Sequence, residues 1–66
     1  MTMKEQIQKE IDIQIKMFNE ETEKFLDAMS QGDERIAKRH EKNCASCLGK
    51  ISAFEKCLEM IDEMIG

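Results

Sequence analysis

His40, Cys44 and Cys47 are the residues of this chain whose types and spacing could do chemistry. Steps of four and three place an imidazole and two thiols on one face of a helix, a donor set suited to a soft metal such as zinc. A structural zinc site needs a fourth ligand, and of the residues expected to face this trio only Glu23 ligates readily. Structural zinc hairpins also place their cysteine pairs on turns, whereas Cys44-Ala45-Ser46-Cys47 falls in mid-helix. The same position argues against redox work, because an activated pair sits at a helix N-terminus that lowers its thiol pKa. Mid-helix geometry points the two side chains apart, so a disulfide between them would be strained. Cys44 and Cys47 are therefore expected as small buried hydrophobes, and His40 as a core-edge residue packed on Phe25. No Ser-His-Asp set, Gly-rich phosphate loop or catalytic carboxylate pair can be assembled, so neither an enzyme nor a cofactor is expected.

The elements that must position these residues are two helices. The chain has 66 residues, 36% of them charged, with no Pro, Trp or Tyr, which describes a small, ordered, helix-rich single domain spanning 1–66. Thr2-Met3-Lys4-Glu5 has the form of a capping box, and it predicts a first helix over about 3–30. Along it Met3, Ile7, Ile11, Ile15, Phe18, Thr22, Phe25, Leu26 and Met29 recur at steps of three and four and read as one apolar face. Ser30-Gln31-Gly32-Asp33 supplies a Gly for the C-terminal cap and an Asp to cap a second helix over about 34–65. Its face reads Ile36, His40, Cys44, Cys47, Ile51, Phe54, Leu58, Ile61 and Ile65. The weak helix formers of 43–49 and the Ser52-Ala53-Phe54-Glu55 box allow a break there, but the face keeps its phase and predicts a continuous helix. Folding back about Gly32 pairs residues whose numbers sum to about 65. Phe25 then meets His40, Thr22 meets Cys44, Ile15 meets Ile51 and Ile11 meets Phe54. The fold class is all-α, a two-helix antiparallel hairpin.

A second stripe on helix 2 is left over: Arg35, Arg39, Lys42, Ser46, Gly49, Ala53, Cys57, Met60 and Met64. It is basic at one end, small in the middle and apolar at the other. Ile13 and Met17 of helix 1 also fall off the main face, toward the same open end of the hairpin. Together Ile13, Met17, Gly49, Ala53, Cys57, Met60 and Met64 read as an oligomer or partner interface of the flexible, Met-rich kind. Chains this short usually need a staple or a second copy, so a homodimeric four-helix bundle is expected, helix 2 packing on its mate near Gly49.

Net charge is −4, laid out unevenly. Residues 1–32 carry four Lys against seven acids, 33–50 five bases against three acids, and 51–66 one base against four acids. Arg35, Lys38, Arg39, His40 and Lys42 could converge on a nucleotide or RNA as an anion-binding belt. No dominant basic surface and no aromatic platform beside the belt supports that reading. Glu20, Glu21 and Glu23 read as a solvated face, with Glu5/Lys9, Asp12/Lys16, Glu20/Lys24 and Glu34/Lys38 at helix-supporting spacing. No run reaches the roughly 18 apolar residues of a membrane span, no signal peptide core is visible, and three cysteines make an odd number; a cytoplasmic protein is expected, without a membrane partner. The function these features favour is an interaction module that regulates or inhibits a larger protein. An anionic-ligand binder and a metal-stabilised assembly are the alternatives.

Overall fold

The computed structural model describes the backbone of residues 2–65 and the side chains of 2–64. Two helices, α1 (Met3–Ser30) and α2 (Glu34–Ile65), pack along their lengths into a rod of 50 × 17 × 11 Å. Each end has a local chemical cause. Thr2, in extended conformation, accepts the Glu5 amide on its hydroxyl at 3.1 Å and starts α1. At the other end Asp33 N–H donates to the Ala28 carbonyl and Gly32 N–H to that of Met29, the paired bonds of a Schellman cap. That cap needs a left-handed residue, and Gly32 supplies it with φ +77°. Asp33 then accepts the Ile36 amide at 3.2 Å and caps α2. α2 runs unbroken through residues 43–49, so the box at Ser52 starts no third helix.

Cross-helix contacts set the register. Lys4 Nζ reaches Asp62 Oδ1 at 2.8 Å, and Thr22 Oγ1 lies 3.6 Å from Cys44 Sγ. Glu21 accepts from both Asn43 and His40. Lys4–Asp62, Thr22–Cys44 and Glu21–Asn43 keep close to the expected sum, while His40 reaches one turn along α1 to Glu21, and the face of α1 is where the structure departs from the sequence reading. Its inward residues are Ile7, Ile11, Gln14, Phe18, Glu21, Phe25 and Ala28, with Thr22 beside them. Met3, Ile15, Leu26 and Met29, expected inside, are exposed. On α2, Ala37 is buried where Ile36 was expected; His40, Cys44, Cys47, Ile51, Phe54, Leu58 and Ile61 face inward as read. Ile65, assigned to the same face, lies outside the described side chains.

The reason is periodicity. Both observed seams alternate steps of four and three without exception, the 3.5-residue repeat of helices that supercoil about each other. A face chosen by apolarity alone drifts off that seam, taking Ile15 for Gln14 and Leu26 and Met29 for Ala28. Ala28 and Ala37, both buried, bring the backbones together beside the turn. Met29 and Ile36 flank that close approach and are pushed outside it. The expected pairing of Ile15 with Ile51 is thus replaced by Gln14 at the seam position opposite Ile51, and Ala28 and Ala37 are the buried seam residues beside the turn.

Candidate functional site

Writing each seam as heptad positions a and d puts Ile11, Phe18 and Phe25 at a and Ile7, Gln14, Glu21 and Ala28 at d on α1. On α2 it puts Ala37, Cys44, Ile51 and Leu58 at a and His40, Cys47, Phe54 and Ile61 at d. In an antiparallel pair the e positions of the two helices lie on one flank of the seam and the g positions on the other. Two grooves confirm the assignment. Phe25, Met29, Glu34, Ala37, Lys38 and Glu41 line one on the e flank. Met17, Glu21, Asn43, Ser46, Cys47 and Lys50 line one on the g flank.

The g flank, with its neighbouring c positions, carries Ile13, Met17, Ala53, Cys57, Met60 and Met64, all exposed, Met64 at 85%. Gly49 sits at an f position on the outer edge of α2, also exposed, and a Cβ built there meets nothing within 4 Å. The residues read from sequence as an interface therefore occupy one side of the hairpin and the adjoining edge of α2. Formal charge on this flank balances: Glu10, Glu20 and Asp27 against Lys24, Arg39 and Lys50.

Sequence reasoning missed the e flank. With its b positions it presents Ile15, Leu26, Met29 and Leu48, the two leucines 59% and 52% exposed. Three of these four were assigned to the core. The 3.5-residue repeat, imposed strictly, would have put them outside. Charge here is one-sided: Glu5, Asp12, Glu34, Glu41, Glu55, Glu59 and Asp62 against Lys38 and the Lys4 ammonium that reaches Asp62, a net of −5. Asp62 is the one that pairs across the helices, with Lys4.

Arg35, Lys38, Arg39 and Lys42 are exposed and, with Glu41 and Ala45, line an open depression on the outside of α2. His40 does not join them. It points into the seam, half-buried, and its Nδ1–H donates to Glu21 Oε2. Asn43 Nδ2 donates to the same oxygen at 3.3 Å, and Lys24 Nζ lies 4.0 Å from the other. Glu21 is thus part of the seam rather than of a solvated face; Glu20 and Glu23 are exposed as expected. Among the described residues Lys24 pairs with Glu21, three positions away, and none of the four i, i+4 pairs closes to an ion pair.

Cys47 is buried and Cys44 half-buried against Thr22, while Cys57 is exposed. Among the described residues no three His, Cys, Asp or Glu side chains gather as a group that could hold a metal ion, and His40, Cys44 and Cys47 follow one another along the seam. Phe18, Phe25 and Phe54 are all half-buried along the seam, which leaves the basic belt without a stacking surface. Among the described residues no helix is long and apolar enough to cross a membrane.

The hydrogen bond from His40, then that from Asn43, then the positive charges of His40 and Lys24 hold the Glu21 carboxyl below its ordinary 4.5. A carboxylate whose pKa is lowered by folding stabilises the fold above its ordinary value, and that contribution is lost as pH falls through the lowered one. Thermal melts between pH 7 and pH 3 are accordingly expected to show a steeper acid loss for the natural chain than for Glu21→Gln. Parallel curves would remove Glu21 as a source of acid sensitivity.

The molecule defined by these observations is an all-α helical hairpin with a thin mixed seam and two unlike apolar flanks. Comparison with family models, with curated proteins and with solved structures finds no match for this chain.

Proposed function

We propose that this chain is an interaction module: a helical hairpin that self-associates as a homodimeric four-helix bundle and, in that form, regulates or inhibits a larger protein. Its exposed surface is the observation that carries the reading. A folded monomer of 7.7 kDa is expected to expose about 4,300 Å². The hairpin exposes 5287 Å², an excess of about 1,000 Å². A stable complex buries roughly 800 Å² per partner. The excess is thus of the size one interface would remove. Apolar chemistry accompanies it, because among the described residues the buried apolar side chains are only Ile11, Ala28, Ala37 and Cys47, while ten large ones are exposed.

Packing of α2 on its mate about Gly49 suits the g side and the adjoining edge. Of the acids that an antiparallel crossing could bring toward Arg35, Arg39 and Lys42 of the mate, Glu63 lies on this edge while Glu55, Glu59 and Asp62 lie on the e flank, so an Arg35–Glu63 approach steers orientation more than it adds affinity. The g flank is balanced and the adjoining α2 edge carries Arg35, Lys42 and Lys56 against Glu63, a net of +2, so the like-charge barrier to a second copy is smaller here than on the e flank.

Gly49→Leu tests the dimer cleanly. Space around position 49 is open within the hairpin, and Leu forms helix better than Gly, so the single hairpin is not expected to suffer. A Leu at the crossing overpacks the interface by about 1–3 kcal/mol, or roughly 5- to 150-fold in the dimer dissociation constant. Sedimentation velocity at low micromolar concentration is expected to show dimer for the natural chain and a shift toward monomer for the variant, with helical circular dichroism retained. An unchanged sedimentation coefficient would sink the Gly49 crossing.

A further inference from the structure

The e flank requires a different occupant from the one proposed for the g side. A second copy is the natural cover for an apolar face only if the face suits itself, and this one does not. Two e flanks brought together would juxtapose two surfaces of net −5, and like charge at an interface is strongly unfavourable. An anionic membrane surface or a nucleic acid meets the same repulsion. Apolar content nevertheless asks for cover: Ile15, Leu26, Met29 and Leu48 are exposed on the flank, and the groove between Phe25 and Ala37 runs beside Met29. The rim of that groove carries Glu34 and Glu41 with Lys38 between them.

A helix whose apolar side fits between α1 and α2, and whose flanking residues are Lys or Arg, satisfies both features at once. Its apolar stripe would cover Leu26, Met29 and Leu48, as amphipathic helices do in hydrophobic grooves. Its basic edges would meet Glu34, Glu41 and Glu55, raising the encounter rate and excluding acidic competitors. We infer that the e flank is the docking surface for a basic amphipathic helix of the larger protein. The inference rests on the reading of the chain as an interaction module and assigns its two sides different tasks: the g side and α2 edge for a second copy, the e flank for the regulated partner. Methionine at the groove tolerates varied apolar shapes in the occupant.

The test uses the full chain and two synthetic three-heptad peptides, both with Leu at a and d, one with Lys and the other with Glu at the remaining positions. Isothermal titration is expected to detect binding of the Lys peptide and none of the Glu peptide. Leu26→Gln/Leu48→Gln, which removes two exposed apolar anchors with a good helix former, is expected to weaken the Lys peptide by about tenfold or more. Glu41→Lys/Glu55→Lys is expected to weaken it comparably, with circular dichroism confirming that both variants stay folded. Undiminished binding by the leucine variant would mean charge attraction alone and would overturn the docking site. Equal binding of both peptides would overturn the charge argument. Loss of self-association in the leucine variant would overturn it too, by giving the flank to a second copy. Gly49→Leu separates this inference from the dimer: peptide binding kept while the dimer is lost upholds the e flank alone, and a dimer kept with no peptide bound removes the e flank alone.

Discussion

Ile11→Ala is expected to abolish the cooperative melt of this protein at micromolar concentration. Ile11 is 4% exposed, and among the described residues its companions in the buried apolar set are two alanines and a cysteine. Among the described residues it is therefore the one large apolar side chain that the hairpin buries almost entirely. Truncating a buried Ile to Ala costs about 2–5 kcal/mol through lost transfer energy and the cavity left behind. A core of this size supplies no more than about 3–5 kcal/mol in total. The change is thus comparable to the whole stability. Ile15→Ala is the matched control, because Ile15 lies one turn along the same helix but outside the seam. Its removal is expected to shift hairpin stability by about 0.5 kcal/mol or less. Circular-dichroism melts of the two variants decide the matter. Equal losses would mean that the helix follows the apolar face rather than the strict heptad, and that Ile15 belongs inside.

Gln14→Leu is expected to do the opposite and stabilise the fold. Gln14 is 9% exposed at a seam position, and its Oε1 is buried with no hydrogen-bond partner. An orphaned buried acceptor costs about 1–3 kcal/mol, and replacing it by an apolar group of similar size removes that cost. Leu at position d is also the ordinary occupant of a heptad seam. A gain of about 1–2 kcal/mol corresponds to a melting temperature higher by roughly 4–16 °C for a domain of this size. A lower melting temperature would show that Oε1 has found a donor and that the amide is part of the packing. Because Gln14 and Ile11 are neighbours on one helix face, the double variant is not expected to be additive.

Both predictions depend on information that the sequence carries only in part. Helices, their caps and the turn were legible because each is a local matter. Thr2, Gly32 and Asp33 satisfy orphan backbone groups within a few residues of themselves, and the left-handed conformation of Gly32 is a property of that residue type. The pairing register was legible too, since a tight turn leaves two helices little freedom to slide. The exposure of Ile13, Met17, Met60 and Met64 follows from the same helical phase.

The inner face of α1 was not legible from apolarity, because Gln14, Glu21 and Ala28 give no hydrophobic signal while Ile15, Leu26 and Met29 give a strong one. Which set turns inward depends on how two helices supercoil over their whole length, and on the close approach that Ala28 and Ala37 permit beside the turn. His40 illustrates the same limit from the polar side. As a residue on α2 it could be grouped with Arg39 and Lys42 or with Cys44 and Cys47, and spacing allowed either. The structure keeps His40 on the seam with Cys44 and Cys47, as the face was read, and gives it a carboxylate to donate to in Glu21, which the sequence had placed on a solvated face. Local sequence thus determined the hairpin, because helices and caps form from near neighbours. Only the packing of one helix on the other decided which apolar residues are left outside, because burial is a property of the pair.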